Sequence, residues 1–234
     1  MSVCYFVTGT DTEIGKTTMA AGLLHAARLR GLSTAAVKPV AAGCVLTDQG
    51  LRNDDALTLL AECNPELEYG QVNPVALEPA IAPHIAAREA GLEVTVADLA
   101  DACRQVFSLR RDITVVEGAG GWRVPLNSTQ TLADLARELQ LPVIMVVGLR
   151  LGCINHALLT AEAIAADGLH LAGWVANQID PQMDRQQNNL ETLKTLISAP
   201  LLGVVPQLHP LTMAGVASHL NLEPLLDPTS GLLS

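Results

Sequence analysis

Lys16 and Thr17 stand directly behind Gly15, and Gly9 opens the loop that precedes them: Gly9-Thr10-Asp11-Thr12-Glu13-Ile14-Gly15-Lys16-Thr17-Thr18. These residue types suit the binding of a polyphosphate. Backbone N–H groups of a glycine-bounded loop and of a helix N-terminus can surround phosphate oxygens, aided by the positive end of the helix dipole. Lys16 would reach the terminal phosphates, and the Thr17 hydroxyl would help hold Mg²⁺. The usual pattern is G-x-x-x-x-G-K-[ST]. Here five residues separate Gly9 from Gly15, so the loop is one residue longer. The apolar run Val3 to Val7 before it and the helical spacing of Met19, Leu23 and Ala27 after it supply the strand–loop–helix context that the motif requires.

Three other side chains could join such a site. Glu117 ends the β-branched run Ile113 to Val116 and precedes Gly118-Ala119-Gly120-Gly121, the place for an acidic group that holds Mg²⁺. A solvated carboxylate at a strand end is the alternative. Asp55 falls in the first turn of a helix, where the dipole stabilises a carboxylate with or without a metal. Lys38 closes a strand and could stabilise developing negative charge, or could simply be a surface lysine. The six histidines show no metal spacing and no Ser-His-Asp arrangement. Asn177-Gln178-Ile179-Asp180 approaches the N-K-x-D pattern that reads guanine but lacks its lysine, which argues against a GTPase.

The elements that must position these groups follow from periodicity. Strands are expected at 3–7, 33–38, 113–116, 143–147, 171–176 and 201–205, with a further short edge strand near Val72 in an otherwise irregular proline-rich stretch, 65–83. Asn53 should cap a helix that buries Leu57, Leu60 and Ala61. Thr95 and Thr131 read as capping-box residues. Gly152 to Asn155 should open a helix with Ile154, Leu158, Ala161 and Ala165 inward, and 184–197 reads as a polar-faced helix. Apolar strands alternating with helices predict one α/β domain over residues 1–226. Its mostly parallel sheet should have about seven strands and helices on both faces, with a tail over 227–234. In such a sheet ligands bind at the carboxyl ends of the strands, where the loop after Thr8, Lys38, Glu117, Gly148 to Asn155, Asn177 and Pro206 all fall.

Composition narrows the function class. The chain has 234 residues, 49% hydrophobic and 16% charged, as a globular protein should. A formal net charge of −10 without a basic cluster argues against a nucleic-acid surface. The five cysteines are odd in number and none has CxxC spacing, so no disulfide framework or zinc site is expected. With no signal-peptide pattern and no apolar run of roughly 20 residues, a cytoplasmic protein without a membrane partner is expected.

The sequence resembles the dethiobiotin synthetase family over nearly its whole length. The resemblance is carried by Phe6 to Thr17, Lys38 to Ala41, Gly50 to Leu57, Val116 to Trp122, Val147-Gly148, Gly152 to His156 and Gly173 to Asn177. The longer phosphate loop is that family's own form. The resemblance implies ATP and Mg²⁺ as cofactors, with 7,8-diaminopelargonate and CO₂ as substrates of a homodimer. It implies Thr17, Asp55 and Glu117 as metal ligands and Thr12, Lys16 and Lys38 as catalytic residues. It places Glu13, Ile14, Gly15, Lys16, Thr17, Thr18, Asp55, Glu117, Gly118, Ala119 and Gly120 around the nucleotide, with Asn177, Gln178, Pro206, Gln207 and Leu208 toward its base. Substrate would meet Thr12, Lys38 and Ala42, and, across the interface, Gly152, Cys153 and Asn155. Two departures stand out: Ala42, where the family often has serine, and His209-Pro210-Leu211-Thr212, where acidic residues near the ribose are usual. A related amidoligase, a small-molecule kinase and a partition-type nucleotide switch are the alternatives.

Overall fold

The computed structural model describes residues 2–226; the expected tail at 227–234 lies outside the described residues. Strand β1 (Val3–Gly9) runs into the phosphate-type loop, and α1 (Lys16–Leu29) follows. Next come β2 (Thr34–Val37), β3 (Val40–Ala42), β4 (Val45–Thr47), β5 (Gly50–Arg52) and α2 (Asp54–Ala61). The proline-rich stretch holds α3 (Tyr69–Val72), β6 (Val75–Leu77) and the start of α4 (Pro83–Glu89). The rest alternates: α5 (Val96–Phe107), β7 (Ile113–Glu117), α6 (Leu132–Glu138), β8 (Val143–Gly148), α7 (Cys153–Ala166), β9 (Leu171–Asn177), α8 (Gln186–Leu196) and β10 (Leu201–Val205), then α9 (Met213–Ala217) and α10 (Glu223–Leu226).

Six strands form one sheet in the order β10-β9-β8-β1-β7-β2, every pairing parallel. The expected seventh strand is corrected. Val72 lies in α3, and the nearby extended segment is β6, which pairs with β3 in a separate two-stranded sheet. Alternate residues of β8 enter two buried clusters: Ile144 and Val146 join the main core, while Met145 and Val147 face Cys153 and Ala157 of α7 and Leu190 and Leu193 of α8. Helices therefore cover both faces of the sheet, as continuous apolar strands require.

Local capping follows the sequence at all three expected sites, but the reciprocal capping box forms at Thr131 and not at Thr95. The side chains of Asn53, Thr95 and Thr131 accept hydrogen bonds from the N–H groups of Ala56, Asp98 and Asp134. The buried faces of two helices differ from expectation. Helix α2 buries Ala56 and Leu59 and leaves Leu57 exposed. Helix α7 buries Cys153, Ala157, Thr160 and Ile164, with Ile154, Leu158 and Ala161 only half-buried and Ala165 exposed. In α7, small residues let the helix approach the sheet, and its larger side chains flank the contact. Trp122 is buried edge-on against Phe6 and donates its indole N–H to Asp167, a packing role.

Candidate active site

The loop between β1 and α1 is held rigid by its own residues. Thr10 N–H donates to Val146 O at 3.0 Å, tying the loop to the neighbouring strand. The extra residue is accommodated by Glu13, at a left-handed φ of 55°, and by Ile14, whose side chain is 1% exposed in the core. Burying that side chain contributes about 2–3 kcal/mol, enough to anchor the loop from beneath. Gly15 caps α1 at φ 83°, and a Cβ there would stand 2.4 Å from Asn177 Nδ2. Only glycine fits both constraints. Asn177 in turn donates to Ile14 O at 2.8 Å, so the end of β9 braces the loop.

Above the carboxyl ends of β1, β2 and β7 lies a cavity of about 750 Å³. Its walls include Thr12, Glu13, Gly15, Lys16, Thr17 and Thr18 from the loop and α1, Lys38 after β2, Ala42, Asp55 of α2, Glu117 of β7, and Ala119 with Gly120. Residues more than 100 positions apart are thus brought together by the parallel crossovers. A second cavity of equal size sits at the amino ends of β8, β9 and β10. Its walls carry no lysine, arginine or carboxylate, so charge distinguishes the two.

The charged groups form one network. Lys38 Nζ donates to Asp55 Oδ2 and to Glu117 Oε1, each at 2.8 Å, and Thr17 Oγ1 donates to the same Glu117 oxygen at 2.7 Å. Glu117 is 1% exposed and its second oxygen, Oε2, is buried without a partner. Burial alone would lower the Lys38 pKa, but Glu117 and Asp55 outweigh it and the net shift is upward. Burial would likewise raise Asp55, yet Lys38, then Thr17 and Lys16, hold it below the usual carboxylate range. Lys16 behaves oppositely. Burial dominates, Lys38 adds repulsion, and the attraction of Glu117 and Asp55 only partly compensates, leaving a pKa of about 8. Its ammonium donates to Asp11 O at 2.9 Å.

The oxygen donors of Thr17, Asp55 and Glu117 suit a hard divalent cation, and the Lys38 ammonium places positive charge between the two carboxylates. The unpartnered Glu117 Oε2 points the same way. Among the described residues no cluster of three or more His, Cys, Asp or Glu side chains is suited to a metal. A site that uses a hydroxyl and substrate phosphates would not need one.

The remaining expected residues lie outside the cavity lining. Gly118 is buried, donating to Val7 O at 3.0 Å where the chain crosses Phe6. Asn177, Gln178, Pro206, Gln207 and Leu208 gather at the ends of β9 and β10: Gln178 N–H donates to Val205 O, and Gln207 Nε2 to Ile179 O. Gly152, Cys153 and Asn155 open α7; Cys153 is buried, Asn155 is exposed, and the space where a Gly152 Cβ would stand is open. None of the three lines the cavity of its own chain. Residues not anticipated from the sequence are Ala41, Ala80, Ile81, Ala82, Pro83 and Val124, all in the cavity wall. Pro83 at the first turn of α4 is the one local signal that could have placed a helix start there. The Asp11–Arg150 ion pair, linking the loop to the segment before α7, was also not anticipated.

Comparison with known proteins agrees with this architecture and narrows it. A family model described as an AAA domain matches residues 4–214. Among solved structures, the MinD cell division protein of Aquifex aeolicus superposes with a TM-score of 0.57 at 14% identity, covering 97% of this chain and 90% of that one. A ParA family ATPase from Chlorobium tepidum gives 0.56 at 13% identity, covering 99% and 95%. At such identities the likeness concerns the fold alone. Sequence relatives are far nearer. ATP-dependent dethiobiotin synthetase BioD of Pseudomonas paraeruginosa is 66% identical over 221 residues, 94% of this chain and 97% of the relative. Its namesake in Cellvibrio japonicus is 59% identical over 224 residues, 95% and 97% respectively. Identity at that level over almost the full length of both partners does not arise from a shared fold alone, and the chain belongs to the ATP-dependent dethiobiotin synthetase family.

Proposed function

We propose that this chain closes the ureido ring of dethiobiotin from 7,8-diaminopelargonic acid and CO₂ at the expense of ATP, in the cavity above the strand ends. The observation that carries the reading is the convergence of Lys16, Lys38, Thr17, Asp55 and Glu117 on one cavity, in a chain 66% identical to a dethiobiotin synthetase. One amine of the substrate adds CO₂ to give a carbamate, which Thr12, Lys16 and Lys38 face. A carbamate oxygen then attacks the γ-phosphorus of ATP, ADP leaves, and a carbamic–phosphoric anhydride remains. The second amine attacks the anhydride carbon, phosphate departs with the bond it held, and the ring closes. Phosphoryl transfer of this kind needs in-line positioning and cationic stabilisation more than covalent catalysis. Lys16, the N–H groups of Glu13 to Thr18 and the Ala119–Gly120 wall position the polyphosphate. Asn177, Gln178, Pro206, Gln207 and Leu208 border the base. Thr17, Asp55 and Glu117 would hold Mg²⁺, which neutralises charge on the phosphate oxygens.

The active unit is a homodimer in which Gly152, Cys153 and Asn155 of one protomer take the substrate carboxylate in its partner's site. Supporting this, the three residues lie outside their own chain's cavity, and the adjoining Leu151 is 90% exposed. The enzyme works in the cytoplasm on small molecules, without a nucleic-acid or membrane partner. In keeping with that, its net charge is −10 and, among the described residues, no helix is long and apolar enough to cross a membrane.

ADP release should require both diaminopelargonate and CO₂; release indifferent to either would refute the assignment. For the shared site, Gly152→Trp and Lys16→Ala, each inactive alone, should regain activity when mixed, to as much as about half per heterodimer, because one of its two symmetric sites then carries neither defect. No recovery after subunit exchange is confirmed by tagged pull-down would place the carboxylate site within one chain.

A further inference from the structure

We propose that Lys38 gates the metal site: without ligands its ammonium fills the space between Asp55 and Glu117, and a divalent cation entering there turns it out toward the substrate half of the cavity. The inference rests on the assignment of Thr17, Asp55 and Glu117 as metal ligands made above. Lys38 Nζ lies 2.8 Å from both Asp55 Oδ2 and Glu117 Oε1, and the residue is 4% exposed. The other cation of the site is not the occupant, since Lys16 Nζ is turned onto Asp11 O. One ammonium faces two carboxylates, and Glu117 Oε2 is left buried without a donor, so the pocket has room for more positive charge than Lys38 supplies.

The backbone at Lys38 is fixed on both sides. Its N–H donates to Val72 O at 2.6 Å and its carbonyl accepts from Asn73 Nδ2 at 2.8 Å. The response to a metal is therefore confined to the side chain, whose open direction is the cavity it shares with Thr12, Ala41 and Ala42. Repulsion between an ammonium and a divalent ion on the same two oxygens is large in a site shielded from water. The consequence is an order of events: Lys38 becomes free to meet the carbamate only after the metal has loaded.

The test uses nucleotide-free enzyme and Mn²⁺ alone, with binding read by water proton relaxation. Lys38→Met should bind Mn²⁺ about tenfold more tightly than wild type, because a competing charge has been removed. Equal or weaker binding overturns the gate. Since this variant leaves Glu117 without its ammonium and could fold poorly, the wild type provides a second reading. Acylation of Lys38 by acetic anhydride, followed by mass spectrometry, should accelerate at Mn²⁺ concentrations where relaxation shows the site filled. An unchanged rate there also overturns it. Glu117→Gln in the same titration separates the two levels. Wild-type Mn²⁺ binding by Glu117→Gln removes the metal assignment itself; weakened binding there, with no tightening in Lys38→Met, removes the gate alone.

Discussion

Replacing Glu117 by glutamine removes a charge while keeping shape, so it isolates the electrostatic role of the buried network. Glu117 Oε1 accepts from Lys38 and Thr17, and a glutamine carbonyl can accept both bonds without leaving a cavity. What is lost is the charge opposite a buried ammonium. Removing one partner of a buried ion pair costs about 3–5 kcal/mol. Asp55 remains as a second partner of Lys38, but its side chain is 49% exposed, so it makes up only part of the loss. We therefore expect a destabilisation of about 2–3 kcal/mol, at or just below the bottom of that range. For a chain of this size each kcal/mol shifts Tm by about 2–4 °C, so unfolding without ligands should move down by about 5–10 °C. Thermal melts followed by circular dichroism, with urea unfolding to check that the m-value is unchanged, measure this directly. A Tm within about 2 °C of wild type would mean that Glu117 does not neutralise Lys38, and the reasoning would fail. The same variant should need more Mg²⁺ for half-maximal rate.

Lys16→Ala should abolish turnover and leave the unfolding midpoint close to wild type, because burial already disfavours the charged lysine in the folded chain; retained turnover would remove Lys16 from the phosphate site. Burial pushes the Lys16 ammonium down to about 8, and a bound polyphosphate should raise that value. Binding above pH 8 must then take up a proton, and ATP affinity should fall as pH rises through that range; calorimetry at pH 8.5 in buffers of different ionisation enthalpy would show it, and zero uptake would contradict it. Gly15→Ala, strained at φ 83° and driven into Asn177, should weaken ATP binding at least about tenfold. Asp55→Asn should raise the Mg²⁺ concentration for half-maximal rate; an unchanged Mg²⁺ dependence would remove Asp55 from the metal site.

The phosphate-type loop, the apolar strands of the main sheet and the caps at Asn53, Thr95 and Thr131 were legible because each is written within a few adjacent residues. The stretch from Pro65 to Pro83 was not, since a four-residue helix and a three-residue strand are too short to show a period. Consequently Ala80 to Pro83 of the cavity wall went unseen. The buried faces of α2 and α7 were misread for a different reason: apolar residues cover over half the circumference of α2 and nearly all of α7, and contact with the neighbouring elements falls to Ala56 and Leu59 in one and Cys153 and Ala157 in the other. For Lys38, Asp55 and Glu117 the sequence offered strand-end or helix-start positions and equally ordinary alternatives. Their convergence depends on β2 pairing with β7, a non-local fact that local spacing cannot express. The bracing of Ile14 by Asn177, 163 positions away, is of the same kind.

In the proposed reaction the carbon of CO₂ becomes the ring carbonyl through an ATP-activated carbamate. Incubating the enzyme with ¹³C-labelled bicarbonate, diaminopelargonate, Mg²⁺ and ATP, and following the carbon by NMR with ADP measured in parallel, tests it directly. A ureido carbon signal should grow in step with ADP, one ring per ATP consumed, and none should appear with Lys16→Ala. ADP formed without label in a ring, or a labelled ring formed without ATP consumption, would contradict it.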